Sequence, residues 1–240
     1  MLVILNQTNI RRMIMPTYNP VLNPLNLREI KRYSGLDQYA DFPSHLLDQA
    51  CTEAYLLSHP KATWEIYEYD STTATILAPE PLTLQAPKVI DYLSHSVQIV
   101  VMALTIGAEL EMQVSKYFSS GEYTAGLLLD AAGTTAVEIA ADQICEFIKN
   151  QAAQQGYLTL PRFSPGYGQW DITIQPVILQ LANAEQINLV ATESCMLVPR
   201  KSITAVIGFT ANQCESNANY MYRDTTCPQC QQMNCLARKD

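Results

Sequence analysis

Apolar positions follow helical and strand-like rhythms in separate blocks along the chain. In "PSHLLDQACTEAYLLSH", Leu46, Leu47, Ala50, Ala54 and Leu57 recur at helical spacing, with Pro43 suited to a first helical position and Pro60 as a stop. "ATWEIYEY" and "TATIL" alternate as strands do. "VIDYLSH" predicts a short helix, "SVQIVVMALTIG" a buried strand rich in branched residues, and Gly107 opens a helix running through Tyr117. The longest helical pattern spans Tyr123 to Gln154. Its small residues Ala131, Ala132, Gly133, Ala136, Ala140 and Ala141 permit close packing of a second helix. Gly133 costs about 1 kcal/mol relative to alanine in a helix, which leaves room for a break near it. Further on, "TIQPVILQLANA" predicts a helix. "NLVATESCMLVP" and "SITAVIGFT" then alternate as two strands joined by a turn at Pro199-Arg200-Lys201. At the start, Pro16, Pro20 and Pro24 make residues 1–25 an extended segment, and Asn26 is placed to cap a helix over "LREIKRYSG". Strands and helices mix without a βαβ rhythm and without an internal repeat. The fold predicted is α+β, a mostly antiparallel sheet with packed helices.

Composition narrows the partners. Of 240 residues, 48% are apolar and 16% charged, which suits a globular domain with a sizeable core. A net charge of −8 argues against a nucleic-acid partner and suits a cationic ligand. The most apolar run, Val97 to Gly107, is well short of the roughly 20 residues a membrane-spanning helix needs. "MLVILNQTNIRRMIM" lacks the long apolar stretch and small-residue cleavage site of a signal peptide, so a cytoplasmic protein is expected. Its seven cysteines are then thiols or metal ligands rather than disulfides. Cys51 and Cys145 fall on predicted helices and are expected in the core.

One segment carries more chemistry than a connection requires. In "RFSPGYGQW", Arg162 is a fixed cation able to grip a carboxylate by two parallel hydrogen bonds. Pro165-Gly166 turns the backbone and lets a ligand approach main-chain groups. Tyr167 and Trp170 offer aromatic faces to cations or bases. A ligand with a carboxylate, an aromatic base and a positive sulfur would use all three. The plainer alternative is a Pro-Gly loop whose arginine forms a salt bridge.

"RFSPGYG", followed at a set distance by "TESCMLVPRKSITAVIG" and preceded by the small-residue helix "LLLDAAGTTAVEIAAD", resembles the activation domain of cobalamin-dependent methionine synthase. The family pattern is R-x-x-x-G-Y, then T-E-S with a nearby Met, then P-x-x-S-V-S/T. Here those places hold Arg162, Gly166 and Tyr167, then Thr192, Glu193, Ser194 and Met196, then Pro199, Ser202, Ile203 and Thr204. The resemblance covers roughly residues 90–210, and extends to stand-alone versions with a short cysteine tail. It implies that the chain binds S-adenosylmethionine. It also implies a role in returning oxidised cobalamin, with one electron and the methyl group, to methylcobalamin. By the same resemblance Arg162 holds the methionine carboxylate and Glu138 faces its amino group. The backbone Phe163, Ser164, Pro165 and Gly166 borders the adenine, and Tyr167 lies toward the corrin. Asp37 and Asp41 are candidates for the family's N-terminal acidic ligand, and Tyr220 and Tyr222 for its later tyrosine. Glu193 either faces the pocket or sits on a strand paired with a nearby arginine or lysine. Met196 is expected in the core.

The base-off cobalamin motif D-x-H-x-x-G does not occur. His45, His59 and His95 each lie in other contexts. The corrinoid therefore has to arrive on a partner, a corrinoid-binding methyltransferase, with an electron donor as a further possible partner. Residues 1–212 are expected to form the domain and 213–240 a tail. There Cys227, Cys230 and Cys235 form C-x2-C-x4-C, and Cys214 could complete a four-thiolate set for zinc or an iron–sulfur cluster. A cluster would have a use, because reactivation consumes an electron. Two other readings remain open: a binding module or sensor without methyl transfer, and a metal-binding protein acting through its tail.

Overall fold

The structure, a computed structural model, describes residues 17–22, 24–39 and 41–211. Two short helices come first, α1 (Leu27–Tyr33) and α2 (Ser44–Leu57), then β1 (Lys61–Asp70), β2 (Thr75–Ile76) and β3 (Leu82–Thr83). α3 (Pro87–Tyr92), β4 (Gln98–Thr105), α4 (Glu109–Ser120), the long α5 (Tyr123–Gln154) and β5 (Tyr157–Thr159) follow. The last stretch holds α6 (Gln175–Leu181), β6 (Val190–Ala191), β7 (Leu197–Val198) and β8 (Ser202–Ala211), with single 3-10 turns at Ile172–Ile174 and Ala184–Ile187. Six strands make one antiparallel sheet in the order β3-β2-β1-β4-β8-β5, and β6 and β7 pair separately. The fold is α+β, as the sequence predicts.

The centre of the sheet explains its layers. β4 is buried on both faces, which is why its sequence is a continuous apolar run rather than an alternation. Val100, Met102 and Leu104 join Ala205, Ile207 and Phe209 of β8 under α1, α2, α4 and α5. Ile99, Val101 and Ala103 join Val206 of β8 under α3 and α6. Each fully buried Leu, Ile or Phe contributes about 1.5–3 kcal/mol by leaving water. α1 shows the consequence. Seven residues are too few for an isolated helix, yet Ile30 is fully buried against the first layer. Asn26 caps it as expected, accepting from the Arg28 amide at 2.9 Å. Pro43 sits at the N-cap position just before α2, without a side-chain cap hydrogen bond, rather than at its first helical residue.

α5 runs unbroken through Gly133. The side chain of Leu110 on α4 lies where a Cβ at Gly133 would sit, 2.6 Å away, so the glycine serves close helix packing and not a break. The segment 188–199 is not the single strand that its alternation predicts. β6 and β7 are the two arms of a hairpin that turns at Glu193-Ser194, with Thr192 Oγ1 accepting from the Met196 amide at 3.1 Å. Met196 is consequently 56% exposed and outside the core, contrary to expectation. Cys51 and Cys145 are partly buried at the margin of the first layer. The helix expected over 173–184 divides into a 3-10 turn and α6, and β5 is a strand the sequence did not suggest. Of the N-terminal segment, Tyr18 pairs with Ala62 at the edge of β1. Among the described residues no helix is long and apolar enough to cross a membrane.

Candidate functional site

The loop beginning at Arg162 is anchored by β8. β5 pairs with β8 from Tyr157↔Ala211 to Thr159↔Phe209, and the Leu160 amide continues that register by donating to the Gly208 carbonyl. Phe163 then exchanges both backbone hydrogen bonds with Val206, each at 2.9 Å. Between these points Pro161 and Arg162 oppose the single residue Ile207. This is a β-bulge at the sheet edge, where Pro161 has no N–H to leave unpaired.

The two residues after the proline go to different layers. The Phe163 ring packs 5.3 Å from Tyr92 and 6.1 Å from Trp170, centre to centre, in the layer of α3 and α6. Arg162 reaches α5 on the other side. Its Nη2 donates to Glu138 Oε2 at 2.6 Å and its Nη1 to Asp142 Oδ1 at 2.5 Å, with Cys145 Sγ 3.9 Å from Nη1. Burial alone would pull the Arg162 guanidinium down, but Cys145, Asp142 and Glu138 together hold it above its ordinary value. Burial pushes the Cys145 thiol up, and Arg162 offsets part of that. Burial also raises the Tyr33 phenol, and the Glu138 charge adds to it.

Beyond Arg162 the chain is fixed by its own turns. Gly166 (φ 92°) donates to the Trp170 carbonyl at 2.7 Å, and Trp170 donates back to the Tyr167 carbonyl at 2.8 Å. Gly168 (φ 56°) leaves room for Phe163, whose Cζ would lie 2.6 Å from a Cβ there. Tyr92 Oη donates to the Pro161 carbonyl at 2.7 Å and ties the loop base to α3. Pro165 and Trp170 are buried, while Gly166 and Tyr167 are exposed. The indole of Trp170 is therefore a core element and not the open aromatic face that its place in the loop suggests.

Arg162 and Glu138, both picked out from the sequence, are in direct contact. Asp142 and Lys201, which were not picked out, belong to the same array. Asp130, Thr134, Glu138 and Asp142 follow one another at four-residue intervals along α5 and so share a face. Lys201 donates to Thr134 Oγ1 at 2.7 Å and pairs with Asp130 at 2.9 Å. That four-residue ladder is the signal in the sequence that could have found Asp142. Glu193 lies exposed in the hairpin turn and forms no ion pair or hydrogen bond among the described residues, with Arg162 or any other cation. Asp37 and Asp41 lie in the connection between α1 and α2. His45, His59 and His95 are all exposed. No group of metal-ligating side chains occurs among the described residues. Cys214, Tyr220, Tyr222, Cys227, Cys230 and Cys235 lie outside them. A cleft of about 460 Å³ between α2 and the first turns of α5 includes none of the residues expected to bind a ligand.

A layered antiparallel sheet with a bulge-anchored arginine loop against a long helix defines the class of domain. No family model and no curated protein sequence matches the chain. Solved structures do match. The MetH reactivation domain, crystallised bound to AdoHcy, aligns with a TM-score of 0.55 over 81% of this chain and 78% of that one, at 14% identity. At that identity the likeness shows a shared fold.

Proposed function

We propose that the chain binds S-adenosylmethionine at the loop following β5 and supports reductive methylation of oxidised cobalamin carried by a separate corrinoid-dependent methyltransferase. The observation that carries this reading is the direct contact of Arg162 with Glu138, on a fold shared with a domain solved with AdoHcy. A guanidinium and a carboxylate side by side complement the two charges of an amino-acid head group, carboxylate to Arg162 and ammonium to Glu138. The backbone from Phe163 to Gly166 would border the base, and Tyr167 would face the partner's corrin. The methyl group would pass to cobalt with S-adenosylhomocysteine leaving, and an outside donor would supply the electron. The cysteines of the tail, Cys214, Cys227, Cys230 and Cys235, are proposed as a zinc or iron–sulfur site.

A second reading is favoured by the contacts themselves: Arg162 is a structural clasp that pins the loop to α5. Calorimetry separates the two. In the first, wild type binds S-adenosylmethionine and Arg162→Ala binds it about 10- to 100-fold more weakly, since a hydrogen bond to a charged group contributes roughly 1.5–3 kcal/mol. Arg162→Lys recovers only part, because an ammonium lacks the planar fork. Wild type that binds no S-adenosylmethionine, together with an Arg162→Ala variant of lowered melting temperature, would leave the clasp. Methylation of a partner's cobalamin then tests the reaction apart from the binding.

A further inference from the structure

Arg162 gives its two terminal nitrogens to two different acids, and the acids are not equivalent. Glu138 has a side chain 41% exposed, and its charge also reaches Tyr33. Asp142 is 72% exposed and makes no other hydrogen bond or ion pair among the described residues. Both acids are held in place by α5, one turn apart, so neither needs a loop to move before it meets the guanidinium. The cluster holds one guanidinium against two carboxylates. The guanidinium has five N–H groups, of which the two acids use one on each Nη. A third carboxylate that grips both Nη atoms brings a third negative charge to one cation, and of the two acids it crowds, the more exposed Asp142 is the freer to turn away.

We propose that Asp142 is a built-in competitor for Arg162: it occupies Nη1 and leaves it when the carboxylate of S-adenosylmethionine or S-adenosylhomocysteine arrives. This rests on the functional reading above and concerns what sets the affinity of that site. Binding is an exchange, so the ligand gains only the difference between its own hydrogen bonds to Arg162 and those of Asp142. Asp142 is the acid that moves because it is already largely hydrated, and exposed ion pairs are easily given up. Glu138 keeps Nη2 or turns to the ligand's ammonium. No covalent bond changes.

The test is calorimetry of the full chain with S-adenosylhomocysteine and with decarboxylated S-adenosylmethionine, which offers Arg162 no carboxylate. Asp142→Asn keeps the shape of the side chain and removes its charge. S-adenosylhomocysteine is expected to bind this variant about two- to fivefold more tightly than wild type, the scale of an exposed pair. The decarboxylated ligand is expected to bind it no more tightly than wild type, and Asp142→Glu is expected to return the wild-type value. A purely structural Asp142 would not tighten one ligand alone. Wild type that binds S-adenosylhomocysteine, with Asp142→Asn binding it no better or gaining equally for both ligands, overturns the competitor. No binding by either protein overturns the functional reading, and the competitor with it.

Discussion

The loop 162–170 and the hairpin 190–198 carry two halves of one sequence pattern, and the chain holds them by opposite means. The first enters through a bulge at Pro161-Arg162 against buried β8, buries Trp170 in the core with Phe163 packed beside it, and clasps α5 with Arg162. Among the described residues the strands of the second pair only with each other. Val190 and Val198 face each other across the hairpin, 54% and 40% exposed, with Met196 beside them. Conformational entropy explains the difference. Ordering each residue costs about 1–2 kcal/mol, and a segment with few buried groups has little to set against that. The loop offsets the cost with two buried aromatic or proline anchors and a charge cluster. The hairpin sets Ala191 and Leu197, both only partly buried, against the layer of α3 and α6, and otherwise relies on a few backbone bonds and Thr192.

The sharpest way to break this contrast is to remove the loop's anchor. Trp170 is 4% exposed, and Trp170→Ala is expected to cost about 3–5 kcal/mol, the range for a large aromatic removed from a packed core. Denaturant unfolding measures it. A loss below about 1 kcal/mol would mean that the bulge and the charges hold the loop without its aromatic seat.

That anchor was only half legible in the sequence. Trp170 stood out as an aromatic residue, but its spacing from Phe163 could not show that both rings enter one layer. Alternation with period two misread 188–199 for a related reason. A strand and a tight hairpin with arms of equal length share the same alternation, and the turn at Glu193-Ser194 contains neither glycine nor proline. The left-handed residue there is Cys195 (φ 61°), a residue type rarely found in that region. By contrast, Tyr123–Gln154 was read to both ends, because a helix of that length repeats its apolar stripe many times. β4 was read because burial on both faces leaves an uninterrupted apolar run. Of the candidate site, Arg162 is legible from its own chemistry in the loop as well as from a resemblance, and Glu138 from the resemblance alone. Their contact, and the share of Asp142 in it, depend on a bulge of one residue that no local pattern announces.

The base of the loop offers a smaller test, with a pH signature. Tyr92→Phe removes the hydrogen bond to the Pro161 carbonyl and is expected to cost about 0.5–1.5 kcal/mol at neutral pH. Burial holds the Tyr92 phenol above its usual value of 10.0. As pH rises past about 10 the unfolded chain loses this proton before the folded one does, so unfolding is favoured and wild-type stability falls. The variant lacks that linkage. The gap between the two proteins is therefore expected to narrow above pH 10 in urea titrations at stepped pH. A gap constant across that range would show that Tyr92 is not the buried tie between α3 and the loop.

The hairpin should give the smallest effect. Met196 is 56% exposed, so replacing it loses little burial. Surface substitutions away from caps and charge clusters stay within about 0.5 kcal/mol, and Met196→Ser is expected to fall inside that range. The backbone bond between the Thr192 amide and the Met196 carbonyl, 2.9 Å, survives the change because it involves no side chain of residue 196. The arms Val190–Ala191 and Leu197–Val198 keep their pairing for the same reason. The measurement is the melting temperature of Met196→Ser beside that of Trp170→Ala in one buffer. A loss from Met196→Ser that approached the loss at Trp170 would mean that the exposed face of the hairpin packs against other atoms in solution, and the contrast between an anchored loop and a self-paired hairpin would have to be given up.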